Sequence, residues 1–298
     1  MTRFNSLSDW LLWQETLHPR KIDLGLERVA AVAKRLRLLQ PDFGVITVAG
    51  TNGKGSSVAM LEAVLLAAGY RTGCYTSPHL QRYNERIRIQ GQEVDDASLC
   101  AAFACVDEAR GDETLSYFEF GTLAALTLFR REPLDVVLLE VGMGGRLDTT
   151  NVVEHPLLTL ITPVALDHQA FLGDSLEAIA AEKAGILKRG VPCVVGRQAE
   201  PALDVIEARA ARLGAPLLVH GQHWQAWEER GRLVFQDETG LLDLPLPALP
   251  GPHQIDNAGA ALAALRYLGH DDVTCEGAVT GALWPARMQR LTRGPLKD

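Results

Sequence analysis

The chain has 298 residues, of which 47% are hydrophobic and 22% are charged, and its formal net charge at neutral pH is −8. This composition is typical of a folded globular protein rather than a disordered one, and the length suits one large α/β domain or two smaller domains. General nucleic-acid binding is disfavoured, because affinity for a polyanion requires a clustered basic surface and the sequence contains no long run of Lys or Arg.

The five cysteines are scattered along the chain and form no C-x-x-C pair. They favour a reducing compartment over a disulfide framework and give no support for a structural zinc site. The N-terminal segment lacks the pattern of a secretory signal, and no apolar run reaches the roughly 18 residues that would span a bilayer. We therefore expect a soluble, cytoplasmic protein without a membrane partner, and a monomer by default.

Two helices are predicted at the start of the chain, over residues 7–17 and 25–39, from the spacing of their apolar side chains. The period then changes to a short β-branched strand over residues 43–50, followed by a helix over residues 56–69. A second strand is predicted over residues 71–80, where a Ser-Pro pair breaks it. The first strand, the segment after it and the third helix follow one another in the order that a phosphate-binding loop requires.

The segment that joins this strand to its helix reads VITVAGTNGKGSS. A standard phosphate-binding loop reads G-x-x-x-x-G-K-[ST], but here Val48 replaces the first glycine and Gly55 separates Lys54 from Ser56. In such a loop, backbone N–H groups and the lysine attract phosphate, and Ser56 or Ser57 reaches phosphate or magnesium. The alternative is a glycine-rich turn with an exposed lysine, but the strand before it and the helix after it favour a phosphate site.

Strands and helices alternate through the middle of the chain. A helix is predicted over residues 118–132, an apolar strand over 134–139, a further buried strand over 157–168, a helix over 175–190 and a short strand over 192–196. This alternation predicts right-handed βαβ crossovers and one doubly wound, mostly parallel sheet.

Three polar residues follow or lie among these elements. Glu140 and His168 each come at the end of a predicted buried strand, and open parallel sheets bind ligands at that edge. Glu140 suits magnesium there, although it could instead cap the next turn. On their own, a single histidine is more often a core or turn residue, and Lys183, on a predicted helix, is more often an exposed lysine.

Polar–apolar alternation from residue 222 to about residue 246 predicts a small antiparallel hairpin region, as an elaboration rather than a separate domain. An Ala-rich helix is predicted over residues 254–269, and the last fifteen or so residues form no obvious complete element. The predicted fold class is therefore α/β, with a P-loop NTPase-like, doubly wound, mostly parallel sheet and a small antiparallel hairpin region.

Seven segments, in chain order, resemble one known family: AGTNGKGSS, TSPHLQRYNERIRI, YFEFGTLAAL, LEVGMGGRLDTTN, ALDH, EKAGIL and HQIDNAGAALAAL. Together they are similar to the bifunctional bacterial dihydrofolate synthase/folylpolyglutamate synthase family, which is related to the Mur ligases. The likeness covers nearly the whole chain, from about residue 7 to residue 289. Gly55 belongs to the TNGKG loop of this family, and the resemblance implies a sheet of the Mur ligase central-domain type.

The resemblance implies an ATP-dependent amide ligase that uses Mg²⁺, with two ions expected. ATP would phosphorylate a carboxylate of a pterin substrate, and the amine of L-glutamate would attack the acyl phosphate. The implied partners are dihydropteroate, folates and L-glutamate. The segment LHPRKIDLGLERV resembles the version found in bacterial enzymes that make dihydrofolate and also lengthen the glutamate tail.

Site residues are carried over from the family only where the motifs match. Those implied for ATP are Thr51, Asn52, Gly53, Lys54, Gly55, Ser56, Asn257 and Arg287, the last in PARMQ, where the family more usually has Gly before the Arg. Those implied for metal are Ser77, Glu140, His168 and Lys183. Lys54, His168 and Lys183 are the implied catalytic residues. Lys183 would be carbamylated to N6-carboxylysine, which requires a neutral amine and hence a lowered pKa.

The pterin site implied by the resemblance is formed by three segments, with the residues Thr16, Leu17, His18, Pro19, Ser116, Tyr117, Phe118, Glu119, Leu147, Asp148 and Thr149. The rings of Tyr117 and Phe118 could stack on a pterin, but core packing is an equally good use for either ring.

Complete members of this family continue into a second, smaller α/β domain. We therefore expect residues 1–284 to form the ATP- and pterin-binding domain and residues 285–298 to be a hinge at the start of a missing glutamate-ligase domain. On this interpretation the chain is truncated and ligates little or nothing alone. The alternatives are a Mur-type ligase acting on a peptidoglycan precursor and a nucleotide-binding module without catalysis, although the sequence has no N-K-x-D guanine-reading motif.

Overall fold

The structure is a computed structural model that describes residues 3–20, 22–270 and 280–282. The α-helices are α1 (Leu7–Leu17), α2 (Glu27–Arg35), α3 (Lys54–Ala67), α4 (Asp96–Arg110), α5 (Tyr117–Arg131), α6 (Gln169–Leu172), α7 (Leu176–Lys183), α8 (Glu200–Leu213) and α9 (His253–Tyr267). The β-strands are β1 (Gly44–Ala49), β2 (Thr72–Tyr75), β3 (Ile87–Ile89), β4 (Gln92–Glu93), β5 (Val136–Glu140), β6 (Leu158–Ile161), β7 (Cys193–Val195), β8 (Leu217–Val219), β9 (Trp224–Glu229), β10 (Arg232–Asp237) and β11 (Gly240–Pro245). Within the described ranges, no helix is both long and apolar enough to cross a membrane.

The main sheet has eight strands in the order β4-β3-β2-β5-β1-β6-β7-β8. The six strands from β2 to β8 in this order are parallel, and only the β3–β4 edge is antiparallel. This arrangement confirms the predicted doubly wound, mostly parallel sheet. Val48 of β1 pairs with Glu140 of β5 on one side and with Leu160 of β6 on the other. The carboxyl ends of these three strands therefore lie side by side.

Side chains of β1 alternate between two cores. Ile46 and Val48 pack in a cluster with α3 and α9, whereas Val45 packs with the helices α4 and α5 on the opposite face. Because successive side chains of a strand point to opposite faces, a strand buried on both faces reads as a continuous apolar run. Helices on both faces thus hold the carboxyl ends of the central strands in fixed positions.

The second sheet contains β9, β10 and β11, all antiparallel, and confirms the predicted hairpin region. It packs against the outer face of α9 through a glycine. A Cβ at Gly259 would lie 2.6 Å from the Cβ of Ala226 and 2.7 Å from a ring carbon of Trp224. The small sheet therefore packs over the outer face of α9.

Several predicted elements are shorter than the sequence indicated, and two of them have a clear physical reason. The helix predicted over residues 25–39 covers only Glu27–Arg35, because Arg37 adopts a left-handed φ of 58°. The strand predicted to reach His168 ends at Ile161, where Pro163 cannot donate a ladder hydrogen bond. The segment after Pro163 turns instead towards the loop that follows β1.

Candidate active site

The loop after β1 packs tightly between β6 and α9. Gly50 and Gly53 have positive φ angles, and a Cβ on either would clash: with the Thr162 hydroxyl at 1.8 Å for Gly50, and with the Asn257 side-chain oxygen at 2.2 Å for Gly53. The helix α3 begins immediately afterwards, at Lys54. Its first N–H groups have no intrahelical acceptors and carry the positive end of the helix dipole, so this loop is suited to an anion.

Hydrogen bonds tie this loop to the segment that follows β6. The Thr51 N–H donates to the Pro163 carbonyl at 3.0 Å, and the Thr51 hydroxyl donates to the Ala165 carbonyl at 3.0 Å. The Lys54 ammonium bends back over the loop and donates to the Gly50 carbonyl at 2.9 Å and to the Thr51 carbonyl at 3.2 Å. The loop conformation is therefore set by tertiary contacts as well as by its glycines.

A cavity of about 440 Å³ lies over this loop. Its lining includes the predicted ATP residues Thr51, Asn52, Gly53, Lys54, Gly55, Ser56 and Asn257, together with Glu140, Pro163, His253 and Asp256. The Asn257 amide donates to Gln254 at 2.9 Å, and the Gln254 amide donates to the Ser56 hydroxyl at 3.4 Å, so the first turn of α9 is joined to that of α3. The predicted Arg287 lies outside the described residues.

Two of the predicted metal residues are in contact. Glu140, at the end of β5, is 4% exposed, and its carboxylate accepts a hydrogen bond from the Ser77 N–H at 3.0 Å. The carboxylate of Glu140 and the hydroxyl of Ser77 are both oxygen donors, which suit Mg²⁺ better than zinc or copper. The donor chemistry at this edge of the sheet therefore fits the predicted metal.

His168 occupies a more exposed position. It caps α6 with a φ of 47°, and its imidazole contacts Asp167 at 3.6 Å. Within the part of the chain that the structure describes, no three His, Cys, Asp or Glu side chains are grouped as a metal site. The predicted metal set thus requires the Ser77 hydroxyl and a modified Lys183 in addition to the Glu140 carboxylate and the His168 imidazole.

Lys183 is buried, with 3% of its surface exposed, so the interpretation as an exposed helix lysine is wrong. Its ammonium donates to the Gly50 carbonyl at 2.9 Å, the same acceptor that Lys54 uses. Burial and then the charge of Lys54 lower the pKa of Lys183 to about 8, against the opposing effect of Asp167 and Asp148.

A second cavity, of about 420 Å³, lies on the other side of the Ser77–Glu140 contact. Its lining includes six of the predicted pterin residues: Ser116, Phe118, Glu119, Leu147, Asp148 and Thr149. Ser77 lines this cavity and Glu140 lines the first one. The hydrogen bond between them is therefore part of a wall that the two cavities share.

The other predicted pterin residues do not line this cavity. The Thr16 hydroxyl donates to the Trp13 carbonyl, Leu17 is partly buried against the core, and Pro19 is exposed. Tyr117 packs edge-on against Tyr83, with ring centres 5.7 Å apart. The four N-terminal residues and Tyr117 are therefore absent from the lining of the second cavity.

The N-terminal segment reaches the cavity through three residues that were not predicted, Ile22, Asp23 and Leu24. His18 contacts the Asp23 carboxylate at 3.1 Å, and Arg28 bridges Asp23 at 2.8 Å and Glu119 at 2.9 Å. The signal in the sequence was the group of charged residues in LHPRKIDLGLER, but its partner Glu119 lies on α5 and cannot be identified from spacing.

The turn after β5 shapes one wall of the second cavity. Buried Asp148 accepts hydrogen bonds from the Met143 N–H at 2.9 Å and from the Thr150 hydroxyl at 2.6 Å. Burial raises the pKa of Asp148, while these hydrogen bonds oppose the shift. Gly142 lies against Phe118, because a Cβ there would be 2.5 Å from its ring. The glycines of this turn therefore permit packing within the protein.

Comparison with known proteins shows which family this chain resembles. Residues 48–265 match the Mur ligase middle domain. The dihydrofolate synthase/folylpolyglutamate synthase of Escherichia coli strain K12 is 46% identical over 292 residues, covering 97% of this chain and 68% of the relative. The corresponding protein of Haemophilus influenzae is 46% identical over 272 residues, covering 89% of this chain and 59% of the relative. This chain thus spans about three fifths to two thirds of the length of these curated relatives.

Solved structures give the same result. Escherichia coli FolC in complex with DHPP and ADP superposes with a TM-score of 0.91 at 46% identity, covering 98% of this chain and 69% of that one. A bifunctional folylpolyglutamate synthase/dihydrofolate synthase with Mn, AMPPNP and L-glutamate bound has a TM-score of 0.88 at 45% identity, covering 98% of this chain and 70% of that one.

Proposed function

This chain belongs to the dihydrofolate synthase/folylpolyglutamate synthase family of Mur-type ligases, and we propose that it acts in the ATP-dependent joining of L-glutamate to dihydropteroate and to the glutamate tail of tetrahydrofolates. The observation that carries this proposal is the wall between the two cavities. A nucleotide over the loop after β1 and a pterin acid in the second cavity would meet at the Ser77–Glu140 hydrogen bond.

The first cavity would hold MgATP. The loop N–H groups and Lys54 would bind the phosphates, and Asn257 would contact the nucleotide from α9. Ser77 and Glu140 would hold one Mg²⁺, with Glu140, His168 and carbamylated Lys183 contributing to a second. When bound, Mg²⁺ neutralises phosphate charge and makes the γ-phosphorus more electrophilic.

The second cavity would hold the pterin acid. Phe118 offers an aromatic face at its wall, and Asp148 offers a carboxylate that can accept from pterin N–H groups. The substrate carboxylate would attack the γ-phosphorus, and the bond between that phosphorus and ADP would break. The amine of L-glutamate would then attack the acyl carbon, the carbon–oxygen bond to phosphate would break, and the amine would lose a proton.

Lys183 has the two features that carbamylation requires, a desolvated amine and a cationic neighbour. Its nitrogen would add to CO₂ and lose a proton. The resulting carbamate would lie near the Gly50 carbonyl, which the Lys183 ammonium contacts. Residues 1–284 would form the ATP- and pterin-binding domain. Residues 285–298, proposed as the hinge, lie outside the described residues.

The test is phosphate release from MgATP in bicarbonate buffer, with dihydropteroate or a tetrahydrofolate monoglutamate and with or without L-glutamate. Any release should require both the pterin and L-glutamate and should be abolished by Lys54→Ala. Lys34→Ala, which changes an exposed lysine of α2, is the matched control and should behave as wild type.

If the chain alone releases no phosphate, calorimetry should still detect binding of both MgADP and dihydropteroate. Release that persists without L-glutamate, release that Lys54→Ala retains, or failure to bind dihydropteroate would contradict the proposal.

A further inference from the structure

Arg86 lies beside the wall that the two cavities share. It ends a short 3-10 turn, Tyr83–Arg86, just before β3, and its side chain lines the second cavity. The Thr76 N–H donates to the Arg86 carbonyl at 2.9 Å. Because Ser77 follows Thr76, the backbone places Arg86 directly across from the segment that carries Ser77.

The charges around this cavity are unevenly matched. Its three carboxylates all have partners: Arg28 bridges Asp23 and Glu119, and hydroxyl and N–H donors satisfy Asp148. Arg86 is the one cationic side chain in the lining formed by the described residues. Among those residues it makes no ion pair with an Asp or Glu. A positive charge facing a cavity without a carboxylate partner is suited to an anionic ligand.

Neutral groups hold the Arg86 side chain in place. Its Nε–H donates to Nδ1 of His79 at 2.8 Å, and its guanidinium carbon lies 5.4 Å from the ring centre of Tyr83 and 5.9 Å from that of Tyr117. Burial raises the pKa of Tyr117 to about 12, so this ring stays uncharged at neutral pH. These contacts fix the plane of the guanidinium without neutralising it.

We propose that Arg86 binds the carboxylate of the pterin substrate that becomes phosphorylated, and that His79 is a positioning residue that orients Arg86. This inference rests on the proposed function, since it assigns the substrate group that the second cavity receives. A guanidinium that holds one carboxylate oxygen leaves the other free to attack the γ-phosphorus. Its charge also offsets the repulsion between the carboxylate and the phosphates across the shared wall.

The experiment compares two ligands that differ in charge, dihydropteroate and its carboxamide analogue, by calorimetry in the presence of MgADP. Wild type should bind the acid more tightly than the amide. Arg86→Gln should weaken binding of the acid by roughly 10- to 100-fold, the range for hydrogen bonds to charged groups, and leave binding of the amide unchanged. Arg86→Lys should recover only part of this loss, because an ammonium cannot bind a carboxylate with a planar fork.

Arg82→Gln is the matched control, since Arg82 belongs to the same segment but is exposed and paired with Glu93. It should leave the preference for the acid intact. His79→Ala should weaken binding of the acid severalfold, and His79→Gln should restore it, because the Gln side-chain oxygen can accept the Arg86 Nε–H. A merely structural role for His79 would affect the acid and the amide equally.

The outcomes separate this inference from the proposed function. If wild type binds neither pterin ligand, both fail. If wild type binds the acid but Arg86→Gln weakens the acid and the amide equally, the inference is wrong and the proposed function stands. A variant that changes only the KM for L-glutamate would likewise overturn it, because Arg86 would then serve the amino acid instead of the pterin.

Discussion

Lys54 and Lys183 share one hydrogen-bond acceptor, the Gly50 carbonyl, at 2.9 Å each. Two ammonium groups at one carbonyl repel each other, and the buried one is more easily neutralised because it has less water around it. With a pKa of about 8, roughly a quarter of Lys183 is neutral at pH 7.5, against about a thousandth for an ordinary lysine. A pKa near 8 therefore increases the reactive form of this amine by roughly two orders of magnitude.

This difference leads to a prediction about CO₂. With ¹³C-bicarbonate, the protein should show a carbamate signal by NMR that Lys183→Ala abolishes and Lys188→Ala retains. Lys188 is the control because burial lowers its pKa too, but its charged neighbour is Glu154, which acts in the opposite direction.

The pH dependence of the carbamate has a definite sign. Only the neutral amine adds to CO₂, so at constant dissolved CO₂ the signal should fall as the pH is lowered through about 8. A signal equally strong in Lys183→Ala would show that another amine carries the carbamate.

Lys183 shows which site residues a sequence can reveal. It follows Ile179 by four residues and Ala180 by three, and both are buried, so it lies on the apolar face of α7. A lysine on an apolar stripe was a usable signal of burial. The neighbouring charge of Lys54 was not predictable in this way, because it depends on contact between α7 and the loop after β1.

Among the elements, α9 links the nucleotide cavity to the small sheet. Its first turn supplies His253, Asp256 and Asn257 to the cavity. Further along, it contacts β9 through Gly259, where the side chains of Trp224 and Ala226 leave no room for a Cβ. The small sheet therefore supports the helix that completes the nucleotide cavity.

Gly259→Ala should accordingly destabilise the protein, although Ala is the better helix former by about 1 kcal/mol. A Cβ only 2.6 Å from Ala226 overpacks the contact, and overpacking typically costs about 1–3 kcal/mol. Urea unfolding should show a lower midpoint. The control, Gly25→Ala, adds a Cβ that meets no atom within 4 Å and should shift the midpoint little. A midpoint for Gly259→Ala at or above wild type would refute the close packing.

The elements that the sequence analysis missed fall into two groups. The helix α4 has buried Leu99, Phe103 and Val106 at helical spacing and an Asp95 cap, so its pattern was sufficient to predict it. The edge strands β3 and β4 are only three and two residues long, and strands this short leave no periodicity. Their position depends on the pairing of β3 with β2 and of β4 with β3.

At the scale of the whole molecule, the first cavity was more predictable than the second. The edge formed by β1 and β5 follows from rules for parallel sheets, and those rules alone predict Glu140 beside the phosphate loop. The second cavity is formed by the segment around Asp23 and the turn around Asp148, which have no regular period. The contacts of this segment and this turn with α5 decide which residues face the cavity. The family resemblance predicted only part of that lining.

The shared wall also predicts that the two cavities are coupled. A carboxylate in one and phosphates in the other repel across the Ser77–Glu140 contact, and Mg²⁺ reduces that repulsion. Metal-free AMPPNP should therefore weaken dihydropteroate binding by roughly 5-fold or more, a common size for coupling between sites, and MgAMPPNP should reduce or reverse the effect. Both affinities can be measured by titrating dihydropteroate into the protein with AMPPNP, once in buffer containing EDTA and once in buffer containing Mg²⁺.

The carboxamide analogue is the control, because it lacks the charge and its affinity should not respond to the nucleotide in this way. Coupling between binding sites is reciprocal, so dihydropteroate must weaken metal-free AMPPNP by the same factor. Equal dihydropteroate affinities with and without nucleotide would show that the two cavities act independently. A response shared by the acid and the amide would instead point to a change in the shape of the wall rather than to the charges on its two sides.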